Sequence, residues 1–257
     1  MAIALTRPPT AAIARCELTH LAREPIDVAI AVGQHRAYER LLEELGTDVL
    51  SLPPEPELPD AVFVEDTALV LDEVAVMLRP GAPSRLPEVE SVARVLERYR
   101  PLEHIQAPAT IDGGDILQVD RRLYVGLSGR TNQEAALQLH AIVAPFRYEV
   151  IAVPISSCLH LKSACSCVGD RTILLNRSWV PADVFSDLTL IDVAGIEPRG
   201  ANTFFVGDTL VMASNFPQTR ARLEATGRKV RTVDLSELQK AEAGGSCLSV
   251  VFGYPGE

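Results

Sequence analysis

The chain has 257 residues, 47% hydrophobic and 23% charged, with a formal net charge of −10. That is an ordinary globular composition, long enough to bury a sizeable core, and without an obvious linker it reads as a single domain over residues 1–257. An acidic chain with no basic stripe argues against a nucleic-acid or membrane-surface partner, and the absence of a sustained apolar run argues against a spanning helix or signal peptide. A soluble, cytoplasmic protein is expected.

In chain order the sequence opens on an apolar strand (AIALTR, 2–7). A helical pattern with a glycine stop follows (VGQHRAYERLLEELG, 32–46). A hairpin-like segment comes next (AVFVEDTALVLDEVAVMLRP, 61–80), then a helix (EVESVARVLERY, 88–99). The pairing repeats with TIDGGDILQVDRRLYVGLS (110–128) and RTNQEAALQLHAIVAPF (130–146). Two further hairpins, HLKSACSCVGDRTILLN (160–176) and ANTFFVGDTLVMAS (201–214), precede the helix PQTRARLEATG (217–227). The last strand, CLSVVFGYP (247–255), has no helix after it. β-Branched and apolar runs bounded by Asp, Glu or Gly are the signature of hairpins.

Glu65, Asp112, His160, Asn202 and Cys247 stand at matching points of successive units, about 40 to 50 residues apart, a period typical of repeat architectures. If the N-terminal strand completes the unit begun by the last strand, the chain forms about five ββαβ-type units closed around a pseudo-axis. Helices would lie outside and strand ends would face a central cavity. The fold class is therefore α/β, a five-fold propeller.

The polar residues at those points carry the chemistry. Cys247 follows a glycine pair; a strand cysteine is ordinarily a small buried hydrophobe, but it attacks once a cation lowers its pKa. A cationic substrate could be that cation. His160 could protonate a leaving amine and then activate water. Asp112 could orient its ring, although an Asp before glycines is also a common turn residue. Asp60, Glu65 and Asp66 flank an apolar core, a costly arrangement unless a cation or donors compensate, and a planar guanidinium suits it. Arg85 and Arg130 each follow a strand and could clamp a carboxylate. Five cysteines form no disulfide framework. Cys165 and Cys167 could suggest a metal, but strand-like alternation puts both on one buried face.

At these residues the chain resembles the dimethylarginine dimethylaminohydrolases of the guanidine-modifying pentein superfamily. The stretches LPDAVFVED, RPGAPSR, IDGGDIL, VGLSGRTNQ, HLKSACS and GGSCLSV follow in family order, and RCELTHL resembles the family's substrate lid. The resemblance implies a pentein propeller with Cys247 as nucleophile, His160 as proton donor and Asp112 as third triad member, where some relatives carry Glu. It implies guanidinium-binding acids at Glu65 and Asp66, another substrate-binding acid at Asp60, and a carboxylate clamp at Arg85 and Arg130. Leu18 and Ala241 match positions that contact substrate largely through backbone, although relatives have a larger aliphatic residue at the second. The expected reaction is hydrolysis of an N-methylated arginine to citrulline and an alkylamine, without metal or organic cofactor, by a monomer or homodimer. An arginine deiminase or amidinotransferase shares this chemistry but is longer, and a non-catalytic binding member of the superfamily lacks the Cys–His–acid set.

Overall fold

The computed structural model describes residues 2–254. Its first sheet joins the two ends of the chain. β1 (Ala2–Thr6) is the middle strand, parallel to β2 (Thr47–Ser51) and antiparallel to β15 (Ser249–Gly253). The same three-stranded plan recurs in β3 (Ala68–Val70), β4 (Ala75–Met77) and β5 (Leu102–His104). It recurs again in β6 (Ile116–Val119), β7 (Arg122–Leu127) and β8 (Glu149–Pro154). The last two sheets are β9 (Cys165–Cys167), β10 (Thr172–Leu175) and β11 (Thr189–Asp192), then β12 (Thr203–Val206), β13 (Thr209–Ala213) and β14 (Lys229–Val233). In every sheet the first two strands of a unit pair antiparallel, as a hairpin except where β15 meets β1, and the third lies parallel to the second. The expected closure by the N-terminal strand is therefore present. Of the segment expected to form the final strand, Pro255 lies outside the described residues.

The tight turns have local causes. Asp120 at φ 54° and Gly207 at φ 59° supply the left-handed backbone that two-residue hairpin loops require. Parallel strands need a crossover, and helices provide it in four units: α1 (Val28–Glu44), α2 (Glu88–Leu96), α3 (Gln133–Val143) and α5 (Pro217–Glu224). The Asp27 side chain caps α1 by accepting from the Ile30 N–H, and Asn132 caps α3 by accepting from Ala135. The fourth unit replaces the helix with one 3-10 turn, Ala182–Phe185, where the sequence carries no helical period. Single helical turns, α4 (Leu161–Ala164) and α6 (Ser236–Gln239), complete the set.

Apolar faces of helices and sheets meet in separate clusters between units. One joins Val76, Leu123 and Val125 to Ala135 and Leu139 of α3. The five inner strands β3, β6, β9, β12 and β15 all line one central cavity of about 390 Å³, which establishes the ring directly. The expected alternation of HLKSACSCV as a strand holds only from Cys165 onward. Its first part is the helical turn α4, with His160 just before it. Cys165 and Cys167 do pack on the same cluster.

Candidate active site

Each inner strand is preceded by a short turn at the same end of the ring, and those turns carry the polar residues. Val64–Thr67 precedes β3, Gly113–Asp115 precedes β6, α4 precedes β9, Asn202 stands directly before β12, and Ser246–Leu248 precedes β15. Residues separated by a repeat in sequence thus converge on the axis.

Cys247, His160, Asp112 and Asp66 line one cavity of about 20 Å³. Asp112 Oδ2 lies 3.0 Å from His160 Nε2, and its other oxygen accepts from the Gly81 N–H at 2.8 Å. Asp112 is fully buried, so it orients the ring without competition from water. Gly114 explains the glycine pair in the IDGGD turn: a Cβ there would collide with the His160 ring and approach Asp66 Oδ1. Without one, the Gly114 N–H donates to Asp66 Oδ1 at 2.9 Å.

Charge follows from this packing. Burial disfavours an imidazolium at His160, but Asp66, Asp115 and Asp112 outweigh it and hold its pKa up at about 9. Burial opposes ionisation of Asp66 too, yet His160 and Arg85 pull it down to about 2. The Cys247 thiol is pushed well above its ordinary value, by burial first and then by Glu65 and Asp66. At neutral pH the resting site therefore holds a neutral thiol, an imidazolium and a carboxylate. The Gly244 N–H, 3.3 Å from Sγ, is the hydrogen-bond donor to sulfur.

Arg85, Arg130, Asp60 and Ala241 line the same cavity. Arg85 is buried and heavily engaged: Nη1 donates to Asp66 Oδ2 at 2.6 Å, while Nε and Nη2 grip Glu88. Burial pushes Glu88 up to about 7 against the pull of Arg85. Arg130 is half-buried, and its Nη2 donates to Thr19 Oγ1 at 3.2 Å. Asp60 accepts the Glu17 N–H on both oxygens, and burial raises its pKa. Leu18 is half-buried against the neighbouring core that contains Ala241. Glu65 sits lower, lining the central cavity rather than this one, with Oε1 2.6 Å from Lys162 Nζ and Oε2 accepting from Ser246 Oγ. Asp66, Asp112 and His160 offer three ligand atoms within 4.8 Å of one another, the described group that could hold a metal ion. All three are already engaged with Arg85, Gly114 and each other.

Several residues escaped the sequence reading. Asp115, fully buried and raised to about 6 by burial, accepts from the Leu161 N–H beside His160 and from Ser128 and Thr131 of the loop bearing Arg130. Asn202 was aligned by the repeat, and it holds Ser246 through two hydrogen bonds. Glu88, Lys162 and Glu242 gave no signal beyond ordinary surface charge.

A profile of the eukaryotic N,N dimethylarginine dimethylhydrolase family matches residues 6–190. The chain belongs to the dimethylarginine dimethylaminohydrolase family. N(G),N(G)-dimethylarginine dimethylaminohydrolase of Pseudomonas aeruginosa is 36% identical over 88% of this chain and 90% of its own length. The Streptomyces coelicolor protein of that name is also 36% identical, over 96% of this chain and 95% of its own. Among solved structures, a mutant of the Pseudomonas aeruginosa family member complexed with citrulline superposes with a TM-score of 0.92 at 34% identity, covering 97% of this chain and 98% of that one. The N-terminal domain of the cyanobacterial arginine dihydrolase ArgZ shares the fold, with a TM-score of 0.86 at 21% identity over 99% of this chain and 98% of that domain. The five-fold pentein propeller expected of a family member is the fold observed.

Proposed function

We propose that this family member hydrolyses an Nω-methylated arginine to citrulline and an alkylamine through a covalent intermediate on Cys247. The observation that carries the reading is the presence of a thiol, an imidazolium–carboxylate pair and an ionised carboxylate in one buried cavity of a chain whose family relatives bear the dimethylarginine dimethylaminohydrolase name.

The chemistry follows from the resting charges. A guanidinium entering beside Asp66 brings a positive charge next to a thiol that is otherwise neutral. That favours the thiolate, and the thiol proton leaves to solvent. Sulfur adds to the guanidinium carbon, and His160, still protonated at neutral pH, gives its proton to the departing methylamine nitrogen as the C–N bond breaks. The neutral imidazole then takes a proton from water, whose oxygen adds to the S-bound carbon. The C–S bond breaks and citrulline is released. Asp112 keeps the ring aligned in both halves. In this reading Arg130, whose described side-chain bond is one contact to the lid, takes the substrate carboxylate, with Arg85 beside it.

Production of citrulline and dimethylamine from dimethylarginine is the direct test, with arginine as competitor. A clear preference for arginine would replace this reading with a deiminase. Arg130→Ala should raise KM about tenfold or more with little change in kcat, the signature of lost uniform binding. Arg85→Ala is a poorer test because it strands two buried carboxylates, at a stability cost on the order of 3 to 5 kcal/mol. Among the described residues no helix is long and apolar enough to cross a membrane. A single catalytic domain working in the cytoplasm as a monomer or homodimer completes the proposal.

A further inference from the structure

Residues 17–23, a segment with little regular structure, lie beside the catalytic cavity, which Glu17 and Glu242 help to line. Three successive backbone N–H groups of this segment, from Thr19, His20 and Leu21, donate to the single carboxylate of Glu242 at 2.9, 2.5 and 2.7 Å. Glu242 has φ 61°, a left-handed conformation uncommon for a residue with a side chain. It stands next to Ala241 and five positions before Cys247. The other ties are spread over several partners: Glu17 N–H to Asp60, Ser84 Oγ to the Glu17 carboxylate, Arg130 to Thr19 Oγ1, and Arg23 to the carbonyls of Ala14 and Cys16.

With the segment down, the space beside Cys247 and His160 is about 20 Å³, room for about one water molecule. An arginine derivative does not enter with the segment in this position, so the segment must lift for substrate to enter and then settle over it. Glu242 is its most heavily bonded anchor, and its carboxylate also borders an adjoining cavity of about 180 Å³ that His20 and Leu21 help to line.

We propose that Glu242 is a positioning residue: its carboxylate latches residues 17–23 over the catalytic cavity, and substrate capture runs through release and remaking of that latch. A carboxylate facing consecutive N–H groups is a charge-assisted acceptor. An amide at the same position keeps only one accepting oxygen and turns an N–H₂ toward the same donors. The latch is then remade less often over bound substrate, and apparent affinity falls with it.

The latch itself is independent of the reaction, whereas its kinetic consequence rests on the proposed hydrolysis, so two readouts separate them. The first is limited trypsin cleavage after Arg23 in the full-length protein, a residue whose side chain donates to the carbonyls of Ala14 and Cys16 next to the segment. Glu242→Gln and Glu242→Gly should be cleaved there about tenfold faster than the parent at unchanged Tm. Glycine suits the left-handed backbone, so that variant guards against a folding artefact. The second readout is kinetic: both variants should show KM raised about tenfold and kcat within about threefold. Unchanged cleavage after Arg23 in both variants would overturn the latch even if the parent turned over no methylarginine. Faster cleavage with KM unchanged, in a parent that does turn over methylarginine, would overturn the role in substrate capture.

Discussion

Cys247 and His160 are in charge states that suit a cationic substrate. A thiol raised by burial and by Glu65 and Asp66 stays protonated until a positive charge arrives, so in the proposed reaction the substrate itself would switch on its nucleophile. Cys247→Ser should therefore bind methylarginine within a few-fold of the parent affinity while losing about 10³-fold or more in turnover, which calorimetry and a citrulline assay would measure side by side. The same charges shape stability against pH. His160 has a folded pKa of about 9, above the ordinary histidine value, so its stabilisation is complete below about pH 6.5 and is lost as pH rises through 9. Glu88 at about 7 and Asp115 at about 6 hold protons in the folded state that the unfolded chain has already released. They lower stability as pH rises from about 4.5 to 7. Asp66 works the other way, and its stabilisation is lost only as pH falls from about 4 toward 2. Tm should fall steadily from pH 5 to 9. His160→Asn should flatten the limb between 6.5 and 9, which is worth on the order of 3 kcal/mol. A Tm that rises over that limb would contradict the imidazolium.

At the scale of elements, the site is built from turns rather than from strands or helices. This is where sequence reading succeeded and failed. The hairpins were legible because Asp and Gly interrupt apolar runs, and the four crossover helices because their apolar positions recur with a helical period. HLKSACS was misread because alternating Leu, Ser and Cys satisfy a strand as well as one helical turn, and a four-residue turn is too short to carry a period. That Cys247, His160 and Asp112 meet in one cavity was legible through repeat spacing and family resemblance. The supporting partners were not: Asp115 meets Leu161 only through the folded ring, and Glu88, although three residues from Arg85, reads in sequence as an ordinary surface charge. Gly114 tests how tightly these turns fit. A methyl group at that position must displace the His160 ring or the Asp66 carboxylate. Gly114→Ala should lower kcat by about 100-fold or more, since misplacing a catalytic group by about 1 Å costs that much. Binding of citrulline should persist, and the His160 pKa, followed by NMR, should drop toward its ordinary value.

The whole molecule is a ring, and a ring tolerates no missing segment. Its two ends meet in one sheet, where β1 bonds to β15 on one side and to β2 on the other. Removing a peripheral strand such as β11 from such an architecture would expose one edge. Removing β1 would expose two and split the sheet that joins β15, next to Cys247, to β2. Its side chains are central to the core as well: Ile3, Ala4 and Leu5 are all buried, with Leu5 packed against Val64 of the turn that bears Glu65 and Asp66. Leu5→Ala should cost about 2 to 5 kcal/mol by the usual loss of packing and the cavity left behind. Deleting residues 2–6 removes the strand's ten backbone partners as well as its apolar burial, more than the 5 to 15 kcal/mol by which domains are usually stable. The truncated chain should show no cooperative thermal transition, and adding the missing strand as a separate peptide should restore one in a concentration-dependent way. A truncated protein that melted cooperatively and kept its hydrolase activity would mean that closure by β1 does not hold the ring together.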